Sequence, residues 1–147
     1  MRLNYDCVRD VMLWAEELTA PNRYAVYVDV DAMNTSSIFL RESDKPQPNE
    51  FQKKLLEKYS NETLVYHIRY CLKAKFLEGN PYDNRGITIT DLTPEGHQFL
   101  ADIRSNTIFK KTKEIGKKLG VESLHGIARI AEGVVTETIK TYLASQL

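Results

Sequence analysis

The side chains best suited to chemistry in this sequence are three histidines, two cysteines and a pair of closely spaced aspartates. His67, His97 and His125 fall in three different predicted helices, so a zinc site would need those helices to converge with a further ligand. Asp29 and Asp31 lie two apart on one face of a predicted strand, but neither a nearby histidine nor a glycine-rich calcium loop accompanies them. We therefore predict two solvated carboxylates, with no metal ion and no cofactor.

No established catalytic motif appears in the sequence, since GxSxG, HExxH and P-loop patterns are all missing. Cys7 and Cys71 are far apart and match no CxxC pattern, which indicates two free, packed thiols in a reducing compartment. The N-terminus lacks the apolar run of a signal peptide, and no later stretch approaches ~18 consecutive apolar residues. We expect a cytoplasmic protein that is not an enzyme.

The stretch TPEGHQFL crowds a proline, a glycine and a histidine together as an active-site loop would, yet each residue has a positional reason. Thr93 is a good N-cap, Pro94 suits the first helical position and Glu95 complements the helix dipole. Gly96 costs far less in a first turn than in a helix interior. The stretch predicts a strand running into a helix, with His97 as a first-turn residue and not a catalytic one.

Charge limits the ways in which the protein could hold nucleic acid. The 147 residues include 20 basic and 20 acidic side chains, for a net charge of +0. Proteins that hold duplex DNA mainly through its phosphates usually carry a basic excess. Any nucleic-acid site must therefore be a local patch.

Hydrophobic periodicity predicts the elements that would position such a patch. A helix capped by Asn4 precedes an alternating strand over 24–30, whose partner could return at 38–40. Two helices follow, in NEFQKKLLEKYS and ETLVYHIRYCLKAKFLEG, and then two strands joined by a loop rich in turn formers. A basic helix comes next, and a last helix starts after Ser123. Gly126 and Gly133 lie one heptad apart on it, which would let another helix approach closely.

The order of these elements predicts a mostly helical α+β fold: a winged helix-turn-helix core with a small antiparallel sheet. We assign residues 1–104 to this domain, with an elaborated hairpin at about 24–41. Residues 105–147 form a C-terminal helical extension that packs on the core or dimerises. The helix over 123–143 is the expected contact in a homodimer.

Three segments resemble a known family. MRLNYDCVRDVMLW, YSNETLVYHIRYCLKAKFLEG and ITDLTPEGHQFLADIRSNTIFKKTKE are together similar to a family of small phage and prophage proteins, catalogued as domain of unknown function 2513. Related proteins look like winged-helix domains, so the resemblance implies that fold and a phage-linked setting. It brings no catalytic residues. The segment 24–52 departs from it, being longer and more strand-like than the family suggests.

In DNA-binding winged helices the third helix enters the major groove, where arginine reads base edges and lysine and tyrosine hold phosphates. The corresponding helix face, the wing after it and the basic helix supply our candidate binding residues: Thr63, Tyr66, Arg69, Tyr70, Lys73, Tyr82, Arg85, Lys110, Lys111 and Lys113. Tyrosines on such a face suit a protein interface equally well. We predict a regulator that binds duplex DNA. The alternative is a module that binds a host or phage protein, for example an inhibitor of a host enzyme or defence component.

Overall fold

The computed structural model describes residues 1–32, 41, 45–83 and 86–147. The elements, in chain order, are α1 (Tyr5–Leu18), β1 (Ala25–Tyr27), α2 (Glu50–Lys58), α3 (Asn61–Lys73), β2 (Leu77–Asp83), β3 (Gly86–Leu92), α4 (Pro94–Ile103), α5 (Asn106–Leu119) and α6 (Leu124–Ser145). The predicted class is confirmed, because the chain is α+β and mainly helical, with one small antiparallel sheet and a long C-terminal helix.

Each of the six helices begins with a side chain that closes its first turn. The cap oxygen accepts a hydrogen bond from the backbone N–H three residues later, which satisfies one of the otherwise unpaired N–H groups. The six caps are Asn4, Asn49, Ser60, Thr93, Ser105 and Ser123. At roughly 1 kcal/mol each, such caps explain why short helices begin where they do.

The sheet has the order β1–β3–β2, and all neighbouring strands are antiparallel. Ala25 and Tyr27 pair with Ile89 and Ile87, and all four side chains are buried against the helices. The predicted strand over 24–30 is thus too long, because residues 30–32 are helical. The predicted return strand at 38–40 lies outside the described residues, as do residues 33–40 of the predicted elaborated hairpin at 24–41.

The Gln52 side chain bonds to the backbone directly after β1, a contact that hydrophobic periodicity did not predict. The sequence placed Phe51, Leu55 and Leu56 on the buried face of α2, but Phe51 is 43% exposed and Gln52 is fully buried. The Gln52 amide accepts a hydrogen bond from the Val28 N–H at 3.0 Å and donates one to the Val28 carbonyl at 2.8 Å. A side-chain amide therefore pairs with the backbone where a strand partner would otherwise stand.

The junction between the hairpin and α4 is packed against the end of α3. Lys75 adopts a left-handed conformation with φ of 65°, and the Phe76 N–H donates to the Cys71 carbonyl, as in a Schellman motif. The Thr93 hydroxyl donates to the Lys75 carbonyl at 2.6 Å, while its N–H donates to the Phe76 carbonyl at 3.1 Å. A β-carbon on Gly96 would lie 2.0 Å from that same carbonyl oxygen. Gly96 is thus required by close packing, not merely tolerated.

One hydrophobic core joins the sheet to most of the helices. Residues of α5 and of the first turns of α6, among them Phe109, Leu124, Ile127 and Ala131, belong to the same cluster as α1 and α3. From residue 136 onward α6 is exposed. No helix among the described residues is both long enough and apolar enough to span a bilayer.

The glycines that permit close helix packing differ from those expected. A β-carbon on Gly116 of α5 would meet the Ile127 side chain at 2.6 Å, so α5 and α6 approach each other there. A β-carbon added to Gly133 would have no described atom within 4 Å. A β-carbon added to Gly126 would meet only the side chains of Val121 and Ser123, in the turn before its own helix. The prediction that Gly126 and Gly133 form a helix contact is wrong for the packing within this chain.

Candidate binding groove

A groove of about 580 Å³ runs along the outer side of α3. Its aromatic and basic lining comes from α3 and β2, namely Tyr66, Arg69, Tyr70, Lys73 and Tyr82, and we call this the tyrosine groove. The four α3 residues follow one another at steps of three, one and three positions, which brings their side chains to one face of the helix, as predicted. Tyr82 reaches them because β2 runs back beside the helix.

Arg69 connects the two walls of the tyrosine groove. Its Nε donates a hydrogen bond to the Pro81 carbonyl at 3.3 Å, and its guanidinium carbon lies 4.6 Å from the centre of the Tyr82 ring. A guanidinium above an aromatic face is held by cation–π attraction while its remaining N–H groups stay available. Arg69 is therefore pre-positioned in the groove.

Tyr66 and Tyr70 form a ridge between the tyrosine groove and a second one. Their rings are 6.2 Å apart and tilted by 35°, and both side chains are half-buried. The second groove, of about 500 Å³, has the N-terminal residues 1–3 and the α5 residues Lys113 and Lys117 in its lining. This face of α3 therefore lies between two grooves, whose outer sides are formed by other segments of the chain.

The N-terminal end of α3 supplies acidic lining. The Asn61 amide nitrogen donates to Asp29 at 2.9 Å and to Asp31 at 3.0 Å, and Glu62 lies beside them. The side-chain Oδ1 of Asn61 accepts a hydrogen bond from the Tyr27 hydroxyl at 2.8 Å. Burial, and next the two aspartate charges, raise the pKa of Tyr27. Asp29 is part-buried and Asp31 is exposed, and the hydrogen bonds that join both to one amide were not predicted.

His67 lies inside the protein, directly beneath this face. We predicted that it borders the core, but its side chain is fully buried. Nδ1 donates to the Thr63 carbonyl at 2.7 Å, so Nε2 is the acceptor for the Asn4 N–H at 2.8 Å. Burial lowers the pKa of His67, against the opposing effect of the Thr63 carbonyl. A neutral imidazole thus joins α3 to the segment that walls the second groove.

The two other histidines and the two cysteines make ordinary packing or surface contacts. His97 lies 3.6 Å from Asp91 at the surface, and the His125 ring packs 5.0 Å from that of Phe76. Burial raises the pKa of both Cys7 and Cys71 to about 12, which is typical of inert core thiols, and both are free as predicted. Among the described residues no group of histidine, cysteine and acidic side chains could hold a metal ion.

The structure brings together only part of the predicted site. Tyr66, Arg69, Tyr70, Lys73 and Tyr82 line the tyrosine groove, and Lys113 lies across the tyrosine ridge. The Thr63 hydroxyl instead accepts a hydrogen bond from the hydroxyl of Ser60, the helix cap. Lys110 and Lys111 line neither of the two grooves. Arg85 lies outside the described residues. The acidic lining was missed, because the hydrogen bonds from Asn61 to Asp29 and Asp31 join segments 32 and 30 residues apart in the chain.

A family model matches residues 2–122, and its description reads "Hypothetical protein (DUF2513)". The chain belongs to this family. The match covers every element from α1 to α5, including the whole tyrosine groove, and ends just before α6. No curated protein and no solved structure matches the chain.

Proposed function

We propose that the protein is a binding module, not an enzyme, that holds a segment of a partner protein in the tyrosine groove. The observation that carries the proposal is the groove along α3, in which three tyrosines and a pre-positioned arginine line about 580 Å³. Tyrosine and arginine are enriched at the energetic centres of protein interfaces because they combine large apolar area with directed hydrogen bonds. In the phage setting that the family resemblance suggests, the partner would be a host or phage protein.

The shape of the α3 face favours a protein segment over a duplex. A recognition helix must protrude to enter a major groove about 12 Å wide. Here the side chains of α3 line a groove on either side of the helix, and the Asp29 and Glu62 carboxylates at its N-terminal end would face the phosphates. A narrow peptide or loop can enter such a groove, while like charges would oppose a nucleic-acid backbone.

Co-purification with variants tests this proposal. The tagged wild type is compared with Tyr66→Ala and Arg69→Ala, and with Tyr24→Ala, which removes a 59% exposed tyrosine outside the groove. We expect one protein to be retained by the wild type and the Tyr24 variant, and lost from both groove variants. Retention by all four, with thermal unfolding unchanged, would contradict the proposal.

Duplex DNA is the second candidate, and the observation that favours it lies on α5. Lys110, Lys111, Lys117 and Lys118 are exposed on one side of this helix, and none forms an ion pair within the described part of the chain. Lys113, by contrast, is bound to Asp6 at 2.8 Å. Together with the winged-helix order of elements, such a stripe suits phosphate contacts.

Salt dependence separates the two candidates. If α5 holds phosphates, binding to random-sequence duplex should weaken steeply with salt, and each lysine-to-alanine change should lower the slope of log K against log salt by about 1. Fluorescence anisotropy with a labelled duplex at low salt measures this. Absence of binding under those conditions would eliminate the DNA proposal.

A further inference from the structure

We propose that the tyrosine groove selects an extended peptide with a cationic side chain at one end and an acidic side chain about five residues away. This inference rests on the proposed function and specifies its ligand. It comes from the way that charge is distributed along the groove, with opposite signs at its two ends and aromatic rings between them.

The acidic end is formed by Asp29, Asp31 and Glu62. Asp29 and Asp31 belong to the segment after β1, so this acidity is not only the usual first-turn preference of a helix. Asn61, anchored by the buried Tyr27, holds the two aspartates on either side of one amide nitrogen. Negative charge fixed in this way is complementary to an arginine or lysine of the ligand.

The basic end is formed by Arg69, Lys73 and Lys75. Lys73 and Lys75 extend the positive charge into an adjoining groove of about 470 Å³, whose lining also includes the Glu78 carboxylate. None of the three forms an ion pair with any described residue. An aspartate or glutamate of the ligand, or a terminal carboxylate, would pair with Lys73, while Arg69, nearer the middle of the groove, adds positive charge.

The distance between the two ends sets the spacing in the ligand. From Glu62 to Lys73 the helix advances eleven residues, which is about 16 Å at 1.5 Å per residue. An extended chain advances roughly 3.3 Å per residue, so about five residue steps cover that distance. The intervening ligand side chains meet Tyr66, Tyr70 and Tyr82, which favours apolar or aromatic residues there.

Peptide display with charge reversal tests the inference. A library of random peptides of about 12 residues, long enough for the five steps and both flanks, is selected on the intact protein. The dissociation constant of the best synthetic peptide is then measured by anisotropy. Its binding must be lost with Tyr66→Ala, which establishes that it occupies the groove. We expect an arginine or lysine and an acidic residue about five positions apart.

Two charge reversals and two matched controls then follow. Glu62→Lys and Lys73→Glu should each weaken the peptide three- to tenfold, roughly the effect of a partly exposed ion pair. Reversing the cationic residue of the peptide should restore binding to the Glu62 variant. Glu95→Lys and Lys118→Glu reverse exposed charges in the first turn of α4 and the last turn of α5, outside the groove, and should leave affinity unchanged.

The outcomes distinguish the two proposals. Weakening at Glu62 and Lys73 with rescue by the reversed peptide supports the charge pattern. A peptide that requires Tyr66 but is indifferent to both reversals overturns this inference and leaves the protein-binding function standing. If no selected peptide depends on Tyr66, the proposed function itself fails.

Discussion

Replacing Gly96 by alanine should destabilise the protein although helix propensity alone favours the change. Alanine is about 1 kcal/mol better than glycine in a helix, and less at a first turn. Against this, the new β-carbon would lie 2.0 Å from the Phe76 carbonyl oxygen, a backbone atom. Ordinary contact requires about 3.5 Å, so α4 must move away from the end of α3.

That movement would break contacts whose cost can be worked out. Thr93 joins the two elements through its N–H and its hydroxyl, at 3.1 Å and 2.6 Å. Each such hydrogen bond contributes about 1 kcal/mol net, and overpacking a well-packed site adds about 1–3 kcal/mol of strain. After subtracting the propensity gain, we expect Gly96→Ala to lower the free energy of unfolding by about 2–4 kcal/mol.

Two other helical glycines provide internal controls. Gly133 has no atom within 4 Å of the new β-carbon, so Gly133→Ala should gain about 1 kcal/mol. At Gly116 the obstacle at 2.6 Å is the flexible end of the Ile127 side chain, so Gly116→Ala should fall between the other two. Urea unfolding followed by circular dichroism measures all three. If Gly96→Ala were as stable as the wild type, the described packing of α4 on α3 would be incorrect.

Three further predictions test other parts of the structure. In the folded protein the pKa of His67 lies below its usual value near 6.5, so the unfolded chain binds the proton more readily. The free energy of unfolding should therefore fall as the pH drops below about 6.5, by at most ~1.4 kcal/mol per pH unit. Urea titrations between about pH 5 and 7 should show this slope in the wild type and not in His67→Gln. Lys75→Gly should raise the free energy of unfolding by about 0.5–1 kcal/mol by removing the cost of a left-handed lysine, and a loss of stability would mean that the Lys75 side chain contributes more than its backbone strain costs. The exposed end of α6 carries Ile139, Tyr142 and Leu143, so we expect light scattering to show a homodimer that Ile139→Glu converts to a monomer; a monomeric wild type would contradict pairing through 123–143.

Local signals in the sequence predicted the helices well, because capping and periodicity act over a few residues. Asn4, Thr93 and Ser123 were recognised as helix starts, and all three are confirmed. The roles of these residues could be predicted because capping depends on the neighbouring backbone and not on distant partners.

The errors arise where a distant partner decides the outcome. Alternation through Val30 predicted a longer strand, but β3 begins at Gly86, and Gln52 occupies the hydrogen-bonding groups of Val28 instead. Gln52 is polar, so an apolar pattern gives no sign of its burial. His67 was misplaced for the same reason, since its burial depends on the Asn4 N–H, 63 residues away.

The candidate site was predicted only in part, because a sequence pattern reveals which residues share one helix face but not which distant segments contact them. One helix face is readable at 100° per residue, so Tyr66, Arg69, Tyr70 and Lys73 were identified together. The acidic end of the groove depends on Asn61 binding a segment 30 and 32 residues earlier in the chain, which no local pattern reveals. The winged-helix assignment stays a prediction from the order of elements.

Site-specific photo-crosslinking tests the central claim most directly. A benzophenone side chain replaces Tyr66 in the groove or, as the control, Tyr24 outside it, and the cells are irradiated before purification. We predict a covalent adduct with one protein from the Tyr66 position and none from the Tyr24 position. An adduct with nucleic acid at Tyr66, or equal protein adducts from both positions, would contradict the assignment of the tyrosine groove as a protein-binding site.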